Sequence, residues 1–171
     1  MIRWVAAMTV VTASAGLGLL SAGRLRLHVR ALRSLCAALE TASAEIGERL
    51  LPMPELVELL ATRAPEPGRR IFERLLELLP ELGILSFAEL WQRAIDTALE
   101  PELPTDARET LAALGLSLGR YGAEEQQRAI GQALARLEHC CLEAERRSTE
   151  SGRLYAGLGL TLGLLIVIVL L

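Results

Sequence analysis

The chain has 171 residues, which gives room for one domain of ordinary size with a core worth folding for. Hydrophobic residues make up 51% and mean hydropathy is +0.35, yet 23% of residues are charged, so apolar and charged residues must be segregated along the chain. All 18 basic side chains are arginine, and the absence of lysine excludes P-loop phosphate binding and Schiff-base chemistry; a net charge of −3 gives no electrostatic footprint for nucleic acid.

Apart from Arg3, every charge lies between Arg24 and Arg153. The twenty residues from Trp4 to Gly23 are uncharged, and as a helix they reach about 30 Å, the thickness of a bilayer's hydrocarbon. A transmembrane helix is expected over 1–23. The alternative is a cleaved signal peptide, with Arg3 as its basic flank and Ser21-Ala22-Gly23 as its small-residue site. The run is long for that purpose, and charged helix follows at once. Ser14, Gly18 and Ala22 form a stripe through which two helices can approach closely.

The segment 24–153 reads as a cytoplasmic helical bundle. Its charge is mildly negative, and no stretch alternates with the period of two expected of a strand. Leu25, Val29, Leu32, Cys36, Leu39, Ser43, Ile46 and Leu50 recur at steps of four and three, the seam of one long amphipathic helix. Pro52 and Pro54 end it, and Pro54 can open a short second helix through Leu56, Val57, Leu59 and Leu60. The stretch Ala64-Pro65-Glu66-Pro67-Gly68 is a turn. A third helix follows with Ile71, Phe72, Leu75, Leu76 and Leu79 inward, and it stops near Pro80 and Gly83.

Ser86 with Glu89 three residues on is a capping box for a fourth helix, whose inner face is Phe87, Leu90, Trp91, Ala94, Ile95 and Ala98. Pro101 and Pro104 separate it from a fifth, roughly Asp106 to Leu118. After the turn Gly119-Arg120-Tyr121-Gly122, a sixth helix carries Ile130, Leu134, Leu137, Cys141 and Ala144 on one face and can continue into the terminal run. From Leu154 to Leu171 the chain is again uncharged, a second transmembrane helix over 154–171 with Gly159 and Gly163 spaced as GxxxG. Arg24, Arg26, Arg30 and Arg33 follow the first span, and Arg146, Arg147 and Arg153 precede the second. This positive-inside bias puts the middle segment in the cytoplasm. The fold class expected is all-α: an antiparallel six-helix bundle flanked by a transmembrane helix at each end.

Chemistry is not legible in this chain. Cys36, Cys140 and Cys141 lack zinc-type spacing, and adjacent residues on a helix point about 100° apart, so no metal site is expected. The cysteines suit a reducing compartment. His28 and His139 have no Ser, Cys and carboxylate at a suggestive spacing, and Gly115, Gly119 and Gly122 follow no strand as a dinucleotide fingerprint would. No catalytic residue and no cofactor is assigned.

Several short motifs follow one another along the chain: an N-terminal span, Leu39-Glu40 and Glu45-Ile46 in a long helix, Pro52-Met53-Pro54-Glu55, Phe87 to Trp91-Gln92-Arg93-Ala94, Leu118-Gly119-Arg120-Tyr121 before Gln126-Gln127, and a C-terminal span. In order and spacing, together and over the whole chain, they resemble the stage III sporulation protein AB family. One departure is Gly122, where the family pattern commonly has an Asp that would cap the sixth helix.

The resemblance implies a multi-pass protein of the mother-cell membrane facing the forespore, part of a channel complex. Its cytoplasmic domain would be similar to one domain of the F-type inner-membrane platform of type II secretion and type IV pilus machines. The implied partners are stage III sporulation protein AA, a secretion-type ATPase, and other channel components, with oligomers possible in such an assembly. Candidate partner-binding residues are Arg120, Glu124, Glu125 and Arg128, beside the last turn. Two alternatives are a platform fragment of a pilus or type II secretion system and a membrane-anchored helical sensor or regulator. The absence of an internal repeat favours the single-domain sporulation form over a full two-domain platform.

Overall fold

The computed structural model describes the backbone of residues 2–49, 51–99, 102–118 and 122–170, and the side chains of 23, 25–48, 51–99, 102–118 and 122–147. The helices are α1 (Ile2–Arg49), α2 (Met53–Arg63), α3 (Arg69–Leu78), α4 (Phe87–Ala98), α5 (Thr105–Ser117) and α6 (Ala123–Leu170), with a 3-10 turn at Leu79–Glu81. Among the described residues there is no strand, only an isolated bridge between Leu82 and Leu85. The chain divides into two units, one of His28–Leu142 and one of Met1–Leu27 with Glu143–Leu171. The first is the helical bundle.

Helix starts follow from local chemistry. Pro52 and Pro104 precede α2 and α5, where a fixed φ suits helix entry. α4 has the complete capping box: Ser86 N–H and hydroxyl both donate to the Glu89 carboxylate at 2.8 Å, and the Ser86 hydroxyl accepts from Glu89 N–H. These bonds, the backbone one foremost, hold the Glu89 carboxyl below its ordinary value. The cap's ionic contribution is therefore present above the usual glutamate range and fades as pH falls through the lowered value.

Contacts between distant residues fix the direction of each helix. Gly68 N–H donates to Ser34 Oγ at 2.8 Å, which puts the α2–α3 turn beside the start of the bundle portion of α1. Arg70 pairs with Glu102 at 2.9 Å, bringing the α4–α5 turn to the same end. Met53, Phe87 and Leu118 line one small apolar cavity, so the other three turns gather at the opposite end. Gln127 near the start of α6 donates to Ser43 C=O at 3.1 Å, and Cys36 lies near Glu138 and Cys141 farther along α6. Rising numbers on α1 thus meet falling numbers on α6. The helices alternate up and down as an antiparallel bundle, with a Ser34 end and an Ile84 end.

The core differs from the expected seams in instructive ways. On α1, Leu32, Leu39 and Ile46 are buried as expected, but so are Ala31, Leu35, Ala38 and Ala42, while Leu25, Val29, Cys36 and Ser43 are half-buried. A stripe drawn through the larger residues misses the alanines, whose small side chains admit neighbouring helices on a second face. On α3 the inner stripe is Ile71, Phe72, Leu75 and Leu78, in regular helical phase; Leu76 lies off that stripe and is 38% exposed, and Leu79, where the chain tightens into the 3-10 turn, is half-buried. Leu59, Phe87, Ala98, Leu134 and Ala144 are likewise half-buried rather than interior. The two expected spans lie almost wholly outside the described side chains, and among the described residues no helix is long and apolar enough to cross a membrane.

Gly68 shows how close the elements come. A Cβ there would lie 2.8 Å from Ser34 Oγ and 3.1 to 3.2 Å from the α1 backbone at Ser34 and Leu35. The Ser34 hydroxyl also donates to Ala31 C=O at 2.8 Å, so it has little freedom to retreat. At the αR geometry of Gly68 an alanine would normally be tolerated or favourable. Here Gly68→Ala is expected to destabilise by about 1–3 kcal/mol through overpacking, read as a lowered denaturation midpoint; unchanged or higher stability would show that the turn can shift away from α1.

Candidate partner-binding surface

The first turn of α6 presents Glu124 and Glu125 as exposed carboxylates, a placement favoured by the positive end of the helix dipole. Gly122 in place of a capping Asp leaves the start to the backbone, with Glu125 and Gln126 N–H groups both donating to Gly122 C=O at 3.1 Å. Arg128 Nη2 lies 3.3 Å from Glu124 Oε2, one turn on, and these side chains are 71% and 88% exposed. Arg120 lies outside the described residues. The structure thus brings Glu124, Glu125 and Arg128 together on one solvent-facing turn.

Glu124→Arg should change stability by less than about 1 kcal/mol, because it removes only an exposed i,i+4 pair and one favourable dipole contact. Loss of the folded state in circular dichroism would instead place this turn in a structural interface.

Gln127, next to these residues, faces inward. Its amide reaches the Ser43 carbonyl, and Gly47 leaves the room for it, since a Cβ at position 47 would collide with the Gln127 side chain. The residue is an anchor between α1 and α6, and sequence gave no sign of this because its partner is 84 residues away. Leu82 and Ile84 were also missed. They are 46% and 88% exposed in the α3–α4 turn, at the same end of the bundle as Glu124 and Glu125. Their only local signal is an apolar residue on either side of Gly83.

The crevice between α5 and α6, lined by Thr110, Ser117, Gln132, Arg136 and small residues, holds about 70 Å³, well below the roughly 300–1,000 Å³ of a ligand pocket. Cys36 and Cys140 are half-buried and Cys141 is buried. Burial first, then Cys141, Glu138 and Glu40, push the Cys36 thiol up to about 11, so it stays protonated at neutral pH and is a poor nucleophile or metal ligand. Among the described residues no group of three or more His, Cys, Asp or Glu side chains is placed to hold a metal.

Comparison with known proteins agrees with this architecture. A solved structure of a stage III sporulation protein AB superposes with a TM-score of 0.61 at 27% identity, covering 70% of this chain and 94% of that one. Stage III sporulation protein AB of Bacillus subtilis (strain 168) is 26% identical over 171 residues, 99% of each chain. The family described as stage III sporulation protein AB matches residues 3–171. With a matching helical bundle and a family match over nearly its whole length, the chain belongs to the stage III sporulation protein AB family.

Proposed function

We propose that the protein is a non-catalytic platform component of the channel complex between mother cell and forespore, coupling a cytoplasmic secretion-type ATPase, stage III sporulation protein AA, to the membrane parts of the complex. In this reading helices over 1–23 and 154–171 span the mother-cell membrane and the bundle over 24–153 faces the cytoplasm. Arg120, Glu124, Glu125 and Arg128 belong to the face that meets a partner.

The observation that carries the reading is the architecture of α1 and α6. Each is a 48-residue helix that contains a bundle seam and an uncharged terminal run, and within the bundle Gln127 and Ser43 tie the two together. A coupling element needs a packed body connected to the membrane, because a push from an ATPase must be passed on rather than absorbed by loose loops. The short turns between the helices of the bundle suit that role.

The test is recovery of tagged full-length protein from detergent-solubilised membranes of sporulating cells, with quantitative mass spectrometry of what accompanies it. Enrichment of the sporulation ATPase with other channel components is expected. A pilus or type II secretion ATPase in its place would reassign the platform. Loss of every secretion-type ATPase, under conditions that preserve a control complex, would reject coupling in favour of a sensor or regulator.

A further inference from the structure

Ile84 and Leu82 stand on a turn held by its own backbone. Leu82 N–H donates to Leu79 C=O at 2.9 Å, Ile84 and Leu85 N–H donate to Glu81 C=O at 3.0 and 3.1 Å, and Gly83 N–H donates to Leu85 C=O at 3.3 Å. Gly83 makes the bend with φ of 109°, a conformation that residues with a Cβ rarely adopt. Two large aliphatic side chains are therefore presented to solvent from a fixed scaffold, and Leu76 on the helix leading to it is 38% exposed. A lone exposed leucine is ordinary; apolar groups clustered at one corner of a bundle mark an interaction site.

Among the described residues, the charges at this end that lie outside an ion pair are acidic: Glu55, Glu89 and Glu125 lie in the first turns of α2, α4 and α6, while Arg93 and Arg128 pair with Glu81 and Glu124, each at 3.3 Å. Helix dipoles explain why acids suit those first turns; Glu89 is engaged by Ser86 in the capping box, and Glu55 and Glu125 are exposed. An apolar prong on an end whose described, unpaired charges are acidic is disfavoured against an anionic lipid surface and against the same end of a second copy. It complements an apolar socket with a basic rim.

We propose that the Leu82–Ile84 turn is a docking prong that seats in a shallow apolar socket, rimmed by arginine or lysine, on the cytoplasmic ATPase; this deepens the platform reading above and rests on it. The apolar pair supplies the desolvated centre of the contact, and Glu125 with its acidic neighbours supplies steering and register.

The experiment measures binding of the purified full-length chain in detergent to purified stage III sporulation protein AA, at two salt concentrations. Ile84→Asp, alone and with Leu82→Ser, is expected to weaken Kd by about tenfold or more. Ile84 is exposed enough that its exchange should leave thermal melting unchanged, and melting of each variant is checked by circular dichroism. Glu125→Arg should slow association and flatten its salt dependence. A photoreactive residue at position 84 should give adducts with the ATPase. Folded prong variants that bind like wild type would overturn the inference while the platform reading stands, as would adducts only to lipid or to a second copy. Failure of the wild-type chain itself to bind the ATPase would reject the platform reading, and the prong with it.

Discussion

Trp91→Ala is expected to destabilise the bundle by about 3–5 kcal/mol, a large share of the roughly 5–15 kcal/mol that holds a typical domain together. Trp91 is 1% exposed. Its indole N–H donates to Leu111 C=O at 2.6 Å, and its ring meets Phe72 at 5.9 Å and Phe87 at 6.4 Å between centroids. One side chain thus joins α3, α4 and α5, and truncation removes both its buried area and a buried hydrogen bond. Trp91→Phe keeps a ring in place but gives up the bond and some volume, so a smaller loss of about 1–3 kcal/mol is expected. Chemical unfolding followed by far-UV circular dichroism checks both values.

Gly115 sharpens the test. It sits inside α5, where alanine normally favours a helix by about 1 kcal/mol over glycine. A Cβ there, however, would occupy the space taken by the Trp91 ring. Gly115→Ala should therefore destabilise the wild-type protein and stabilise the Trp91→Ala variant. A double-mutant cycle with no coupling would show that the two residues do not share this space.

The second large effect is expected at Leu137. Ile130, Ala133, Leu137 and Cys141 are buried along one stripe of α6, and Leu137 has no exposed surface. Leu137→Ala should cost about 2–5 kcal/mol, because the packed surroundings collapse only partly into the vacated volume. Leu134 is half-buried, and Leu134→Ala should cost distinctly less, about 1 kcal/mol. Equal losses at the two positions would mean that α6 is rotated from the orientation described. Both residues belong to the same apolar repeat in the sequence, so the comparison isolates what tertiary packing adds.

Most of the helix pattern could be read from the chain alone. Helix breaks come from residues that act on their immediate neighbours, and Pro52, Pro54, Gly68, Pro80 and Pro104 mark the turns where the helices stop or restart. Ser86 and Glu89 announced their capping box, since every atom of that motif lies within three residues. The segregation of charge and the family resemblance were likewise properties of order and spacing. Candidate surface residues were legible only as charges beside a turn. That Glu124 and Arg128 pair on an exposed face, while Gln127 between them reaches inward to Ser43, depends on how α6 is rotated against α1.

The remaining features needed the third dimension. Leu78 took the inner place expected of Leu79, where a 3-10 turn begins, and Leu76 faces solvent, because α3 packs on the stripe of Ile71, Phe72, Leu75 and Leu78. Gly68 and Gly115 matter through Ser34 and Trp91, residues distant in sequence, and composition says nothing about such close approaches. Ile84, an ordinary aliphatic residue in the sequence, proved 88% exposed because a hydrogen-bonded turn holds it away from the core. Local chemistry therefore determined where helices begin and end, and the all-α class with them. The crossing of helices decided which side chains are buried, which glycines are obligatory and which apolar groups remain available to a partner, because those outcomes depend on atoms brought together only by the fold.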